Sequence, residues 1–289
     1  MTDHIAPEQP GHEKHGALAS PTPPPGAAAD WTIPQHWDEL TEEDHWVWDT
    51  LFARQQTLLH GRAVAAFEEG LDVLNLSRPG VPNLDEVNER LAARTGWSVV
   101  SVPGIVPDDV FFRHLSERRF PAGAFIRQAD QLDYLEEPDA FHDLFGHVPM
   151  LAQPAVADFM QALGHLGLQA ADLGAIHRIA RLYWYTVEFG LARENGGLKI
   201  YGAGILSSFG EAHYSLESSK PNRLAFDLKR VLRTDYKIDD FQPSYFVIDR
   251  FEAVLETVQQ HDLPALLGEL DDLPDLSPNH IDAADRIAA

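Results

Sequence analysis

The chain has 289 residues, 44% hydrophobic and 10% aromatic, enough to bury a sizeable core in one large or two small domains. Its formal charge of −23 argues against nucleic acid and anionic membrane surfaces as partners, since both repel a strongly acidic protein. With no cysteine there is no disulfide, thiolate cluster or cysteine nucleophile, so metal ligands must come from His, Asp and Glu, which agrees with a reducing cytoplasm.

Met1-Thr2-Asp3-His4 opens no apolar signal-peptide core, and no apolar run approaches the length a bilayer requires, so a soluble cytoplasmic protein is expected. Residues 1–30 are poor in large apolar groups and contain Pro21-Thr22-Pro23-Pro24-Pro25-Gly26, which predicts a disordered tail. Folded structure is expected from Trp31. Thr41-Glu42-Glu43-Asp44 reads as a capped helix start, with Trp46, Trp48, Leu51 and Phe52 on its buried face. Val64, Phe67, Leu71 and Leu74 recur at helical spacing, Pro79-Gly80 makes a turn, and Asn83 caps a helix that Gly96 ends. Trp97 to Val102 alternates as a strand does and leads into a rigid loop, Pro103-Gly104-Ile105-Val106-Pro107. Asp108 or Asp109 then caps a helix from Val110 to about Glu117 carrying Phe111-Phe112, a pair that by itself reads as core. Ala124-Phe125-Ile126-Arg127 reads as a short strand ending in a cation, by itself an ordinary surface ion-pair residue.

Phe141-His142-Asp143-Leu144-Phe145-Gly146-His147-Val148-Pro149 comes next, followed by expected long helices over 154–170 and 176–194. Glu188 falls inside the second of these, among Tyr183, Trp184, Tyr185 and Phe189, where a carboxylate stays charged only if paired or metal-bound. Leu198 to Tyr201 reads as a strand before the glycine-rich Gly202-Ala203-Gly204, which lacks both the dinucleotide spacing and a P-loop lysine. Asp240 to Ile248 is aromatic and reads as buried, 251–260 reads as a helix, and 263–289 as an acidic, loosely attached tail. The whole reads as mainly α with short β-strands, one domain over 31–262, without the alternation of βαβ units.

Two imidazoles and one carboxylate form the facial triad that leaves half of a metal's coordination open and suits Fe(II) oxygenases. His142, His147 and Glu188 are the most complete ligand set in the chain. Spacing alone does not unite them, because five residues advance an ideal helix by about 140° and about 7.5 Å. Gly146 and Pro149 predict that the helix ends or distorts there, letting the second ring swing back. The competing reading is that both histidines are ordinary polar residues near a helix end.

From about Gly104 to Gln260 the chain resembles the catalytic domain of the pterin-dependent aromatic amino acid hydroxylases, particularly the short bacterial members that act on phenylalanine. The matching stretches are Arg118-Arg119-Phe120-Pro121, Tyr134 to Asp139, Phe141 to Pro149, Tyr183 to Gly190, Tyr201 to Glu211 and Phe241-Gln242-Pro243. The resemblance implies 4-hydroxylation of L-phenylalanine to L-tyrosine with O2 and a tetrahydropterin, at a mononuclear Fe(II) held by His142, His147 and Glu188, with Tyr183 beside it. It implies pterin contacts at Gly104, Ile105, Val106, Phe111, Asp143 and Ala180, and amino acid contacts at Arg127, Tyr134, Trp184, Phe189, Gly204 and Ser207. Ile238 stands where the tyrosine-specific branch has an acid, which points to phenylalanine. Tryptophan or tyrosine hydroxylation on the same scaffold, or a non-catalytic metal- or pterin-binding module, are the alternatives. Neither a regulatory domain nor a tetramerisation heptad is visible, so a monomer is expected.

Overall fold

The computed structural model describes residues 22–133 and 137–288; the first 21 residues of the expected tail lie outside them. Helices dominate, as the sequence predicts, with two small sheets among them. Thr41 opens the helix Glu42–Leu59 with a reciprocal cap: its hydroxyl accepts from the Asp44 amide at 3.2 Å while the Asp44 carboxylate accepts from the Thr41 amide at 2.8 Å. Trp48, Leu51 and Phe52 are buried as expected, but Trp46 is 52% exposed. Two residues from Trp48, it points to the opposite side of the helix. Helices Ala65–Val73 and Leu84–Thr95 follow, the latter capped by Asn83 and stopped by Gly96 at φ 74°.

Strand β1, Ser98–Val102, pairs in parallel with β2, Arg119–Gly123, from Ser98 opposite Arg119 to Val102 opposite Gly123. The expected strand over 124–127 is therefore displaced toward the N-terminus. β1 ends at Val102, whose carbonyl accepts a last bond from the Ala124 amide, and the chain then leaves the sheet. Between the two strands, Pro103–Pro107 leads into the helix Asp108–Ser116. Both aspartates lie in its first turn, and no side chain caps it.

The helix from Ile176 ends much earlier than Glu194. It gives way at Trp184–Glu188, and β3, Leu191–Glu194, folds back on β4, Gly197–Ile200, through Asn195-Gly196 at φ 52° and 79°. Asn-Gly is the residue pair that a two-residue hairpin turn favours, because both positions need positive φ. β6, Ser244–Ile248, is wholly buried and joins β3 and β5, Asn222–Ala225, both in parallel, giving the order β4-β3-β6-β5. Phe241, expected to be buried with it, is 43% exposed.

The segment 263–288 is no loose tail. Its helix Leu263–Asp271 buries Leu263, Leu266, Leu267 and Leu270, and Leu276 and Ala288 are also buried. Its acids pair with arginines far back in the chain: Asp275 with Arg181 at 2.7 Å and Asp285 with Arg230 at 3.0 Å. The acidity that reads as repulsive in sequence is thus neutralised by partners brought from elsewhere. Both members of the Asp285–Arg230 pair are almost fully enclosed, at 6% and 8% exposure. Removing one member of such a pair leaves the other buried and uncompensated, so Asp285→Ala is expected to destabilise the protein by about 3 kcal/mol or more in urea unfolding. An unchanged midpoint would mean that this ion pair contributes no stability.

Candidate metal centre

The site begins with a distorted helix. Residues His142–His147 form a π-turn, bonded i to i+5, which runs on into Val148–Leu151 without a break. The expected distortion is therefore a widened turn, and it brings side chains five apart onto one side. Phe141 and Phe145 anchor the other side: they stack at 4.8 Å, Phe145 meets Phe52 and Phe67 edge-on at 5.3 and 5.4 Å, and Phe141 meets Trp48 at 5.3 Å. Gly146 is needed because a Cβ there would lie 2.9 Å from the Ala203 carbonyl oxygen. A second π-turn, Trp184–Glu188, presents the carboxylate.

The two turns bring His142, His147 and Glu188 together with their ligand atoms within 4.8 Å of one another. His147 Nε2 lies 3.2 Å from both His142 Nε2 and Glu188 Oε1, and His142 Nε2 lies 3.6 Å from Glu188 Oε2. Three ligands bonded at about 2.0–2.2 Å and near right angles must lie about 3 Å apart, so this triangle fits one face of a coordination sphere. The hydrogen bonds also set a tautomer. The single Ser207 hydroxyl proton goes to the Ala203 carbonyl at 2.8 Å, so at 2.8 Å from His142 Nδ1 the same oxygen must accept. His142 then carries its proton on Nδ1 and turns the Nε2 lone pair into the site.

Burial lowers the His142 pKa to about 4, against the attraction of Glu188. Burial acts the same way on His147, but the adjacent Glu188 carboxylate outweighs it and raises that ring. Asp143 is pushed up to about 7 by burial, opposed by His147 and by the Gly123 amide, which donates to it at 2.7 Å. The Tyr183 hydroxyl is raised well above its usual range by burial and by Glu188, to which it hydrogen-bonds.

Two pockets meet at the triad. The first is lined by Gly104, Ile105, Val106, Phe111, Asp143, Ala180 and Tyr183, so all six residues expected at the pterin share one cavity. The second is lined by Arg127, Trp184, Phe189, Gly204 and Ser207, the described residues expected at the amino acid, and Ile238 also borders it. Tyr134 lies outside the described residues. His142, Glu188, Trp184 and Pro138 belong to both linings, so a ligand in either cavity faces His142 and Glu188, while of the two cavities only the first is also lined by His147.

Several residues at the site carry no sequence signal of a role. Asp139, fully buried, accepts from Arg127 Nε and Nη2, both at 2.8 Å, and from the His142 amide at 3.0 Å, tying the cation to the start of the π-turn. Arg127 is therefore a buried, oriented group and not a surface ion pair. Burial opposes the charge on Asp139, but Arg127 prevails and lowers its pKa. Gln242 accepts at 3.0 Å from the Trp184 indole, which stacks on Tyr236 at 4.3 Å. Behind it Glu211 accepts from the Gln242 amide at 3.1 Å and from the Tyr245 hydroxyl.

Residues 32–264 match the family described as biopterin-dependent aromatic amino acid hydroxylase. A phenylalanine-4-hydroxylase of Caulobacter vibrioides is 54% identical over 265 residues, covering 92% of this chain and 90% of that protein. The crystal structure of the Chromobacterium violaceum phenylalanine hydroxylase with bound oxidised Fe(III) superposes with a TM-score of 0.88 at 47% identity, covering 96% of this chain and 98% of that one. The iron- and phenylalanine-bound structure of the same enzyme gives a TM-score of 0.86 at 45% identity, with the same coverage.

Glu211 generates a pH dependence. Burial raises its pKa from 4.5 to about 7. Between those values the native state holds a proton that the unfolded chain has released, so stability falls as pH rises through this window and stays low above it. Glu211→Gln keeps an acceptor for Gln242 and Tyr245 and removes the ionisation. Chemical unfolding of the variant is expected to lose that slope and to show a gain on the order of 3 kcal/mol over the parent at pH 8. Parallel curves for the two proteins across pH 4 to 8 would refute it.

Proposed function

Since the chain belongs to the biopterin-dependent aromatic amino acid hydroxylases, we propose that it converts L-phenylalanine to L-tyrosine, using O2 and a tetrahydropterin at one Fe(II) held by His142, His147 and Glu188. One observation carries the reading: two pockets of different chemistry meet at a two-histidine, one-carboxylate face, sharing His142 and Glu188 as a common wall. Such a face leaves positions open toward both cavities, as a reaction joining oxygen, an electron donor and a third molecule requires. Iron bound there supplies the activation of O2 that an aromatic ring and ordinary side chains cannot.

The chain's own residues then bind and orient. In the second pocket Arg127 offers a planar guanidinium to the amino acid carboxylate, its direction fixed by Asp139. The aromatic ring lies against Trp184 and Phe189, whose rings sit 4.7 Å apart. Gly204 matters here because a Cβ would meet the Phe189 ring at 2.7 Å. In the first pocket Phe111, held edge-on to Tyr183 at 5.1 Å, offers a face for a pterin ring to stack on, and Asp143 an acceptor for its ring nitrogens. His142 stays neutral and oriented through Ser207, and the apolar walls limit water around the reacting atoms.

Residues 31–262 form the catalytic unit, with 263–288 packed against it. The enzyme acts as a cytoplasmic monomer without nucleic acid or membrane partners. In support, the charge is −23, there is no cysteine, no helix among the described residues is long and apolar enough to cross a membrane, and the last helix buries its leucines on its own chain.

Metal analysis and a turnover assay test the reading together. About one iron per chain is expected, and tyrosine should form from phenylalanine only when O2 and a tetrahydropterin are both supplied. Glu188→Ala should abolish turnover while retaining pterin binding. Tyrosine formed without pterin, or none from the iron-loaded protein, would sink the proposal.

A further inference from the structure

Behind the first pocket lies a small apolar cluster separate from the main core. Trp31, Val102 and Val106 are buried in it, with Val110 and Phe111 packed against them. Val102, Val106 and Phe111 each present another face to the pocket, whereas Trp31 does not border it. The indole is thus a backing under the loop Pro103–Pro107, one layer removed from any ligand.

Trp31 sits in a strap that is fastened to every element framing that loop. The Ile33 amide donates to Ser101 of β1 at 2.9 Å. Arg119 of β2 donates to the Asp30 carboxylate at 2.8 Å. His114, on the helix Asp108–Ser116, lies with Nε2 2.8 Å from the Asp30 carbonyl oxygen, and must donate because a carbonyl only accepts. Within the strap, Thr32 Oγ1 donates to Asp30 at 2.7 Å, the Trp31 amide to Ala28 at 2.9 Å and the Ala28 amide to Thr32 at 2.8 Å. Hydrogen bonds from Thr32 and Arg119 hold the Asp30 pKa down to about 2, so the tie to Arg119 is a charged one.

Trp31 adopts φ 70°, a left-handed backbone that is costly for a bulky side chain and persists only where the surroundings over-determine it. Here the strain aims the indole beneath Val102 and Val106 while Asp30 reaches the other two elements. A surface strand needing only to cover apolar residues would not require this conformation.

We propose that residues 28–33 act, through Trp31, as a positioning element that holds the Pro103–Pro107 loop in its pterin-receiving shape, setting pterin affinity without touching the pterin. The assignment rests on the first pocket being the pterin site. Trp31 is a positioning residue: its loss leaves Val106 and Phe111 unsupported on one side while the triad and the second pocket keep their own packing.

The test uses the full chain, wild type and the variants Trp31→Ala, Trp31→Phe and Asp30→Ala. Anaerobic calorimetry with tetrahydrobiopterin gives the dissociation constant, and the iron-loaded proteins give separate KM values for pterin and phenylalanine. Trp31→Ala is expected to raise the pterin Kd and KM about tenfold while phenylalanine KM moves by less than about twofold. Trp31→Phe should recover most of the loss, and Asp30→Ala should shift pterin in the same direction. Asp30→Ala opens no cavity in the cluster and carries the test if Trp31→Ala fails to fold. Parallel rises in both KM values, or an unchanged pterin Kd in folded variants, would overturn the inference. A wild-type protein that neither binds nor needs pterin would instead count against the proposed function.

Discussion

A widened helical turn is the constraint on which the centre depends. In an ideal α-helix His142 and His147 diverge by more than a third of a turn. The π-turn between them removes that divergence, at the cost of poorer backbone geometry. What offsets the cost is visible on its other side, where Phe141, Leu144, Phe145 and Val148 are buried in the main core. Core packing thus fixes the turn from outside, and the imidazoles are what remains to point inward. Glu188 reaches them from a second π-turn, so all three donors are delivered by the same departure from regular helix.

Charge is handled by pairing buried arginines with acids elsewhere in the chain. Arg127 is held by Asp139, Arg181 by Asp235 and Asp275, and Arg230 by Asp285, each arginine at 9% exposure or less. Such pairs add little net stability over an apolar packing, but each specifies a unique juxtaposition, because a buried charge without its partner is costly. Asp139 does this most economically, since it accepts from Arg127 and from the His142 amide together and so ties one wall of the second pocket to the start of the ligand-bearing turn. The remaining acids make the surface strongly negative.

The two pockets are built with different tolerance for movement. The second is walled by groups locked in a network: Trp184 stacked on Tyr236 and bonded to Gln242, with Glu211 and Tyr245 behind. The first has on one side a loop between two prolines, whose shape must come from what packs beneath it. Under the proposed function, the networked pocket would take the reacting ring and the buttressed loop the electron donor, which agrees with the need to hold the target atom most tightly.

Much of the chemistry was legible in the residues themselves. The ligand types and their order, the caps at Thr41 and Asn83, the Gly96 stop and the aromatic setting of Glu188 are local signals, set by side chains within a few positions of one another. Asn195-Gly196 was an equally local hairpin signal, which the expected helix to Glu194 leaves out of account. Tertiary structure alone decided the rest. Whether the helix at His142 would end or widen depended on Phe52, Phe67 and Trp48 receiving Phe141 and Phe145. Whether the acidic C-terminal segment would stay apart depended on Arg181, which lies 94 residues from Asp275. The burial of Trp31 depended on Val102 and Val106, some seventy residues later. Local sequence fixes which groups are available and how the chain prefers to bend. Which buried charge meets which, and which side of a strained turn faces inward, follows only when distant segments compete for the same core, because those energies belong to contacts that no short window of sequence contains.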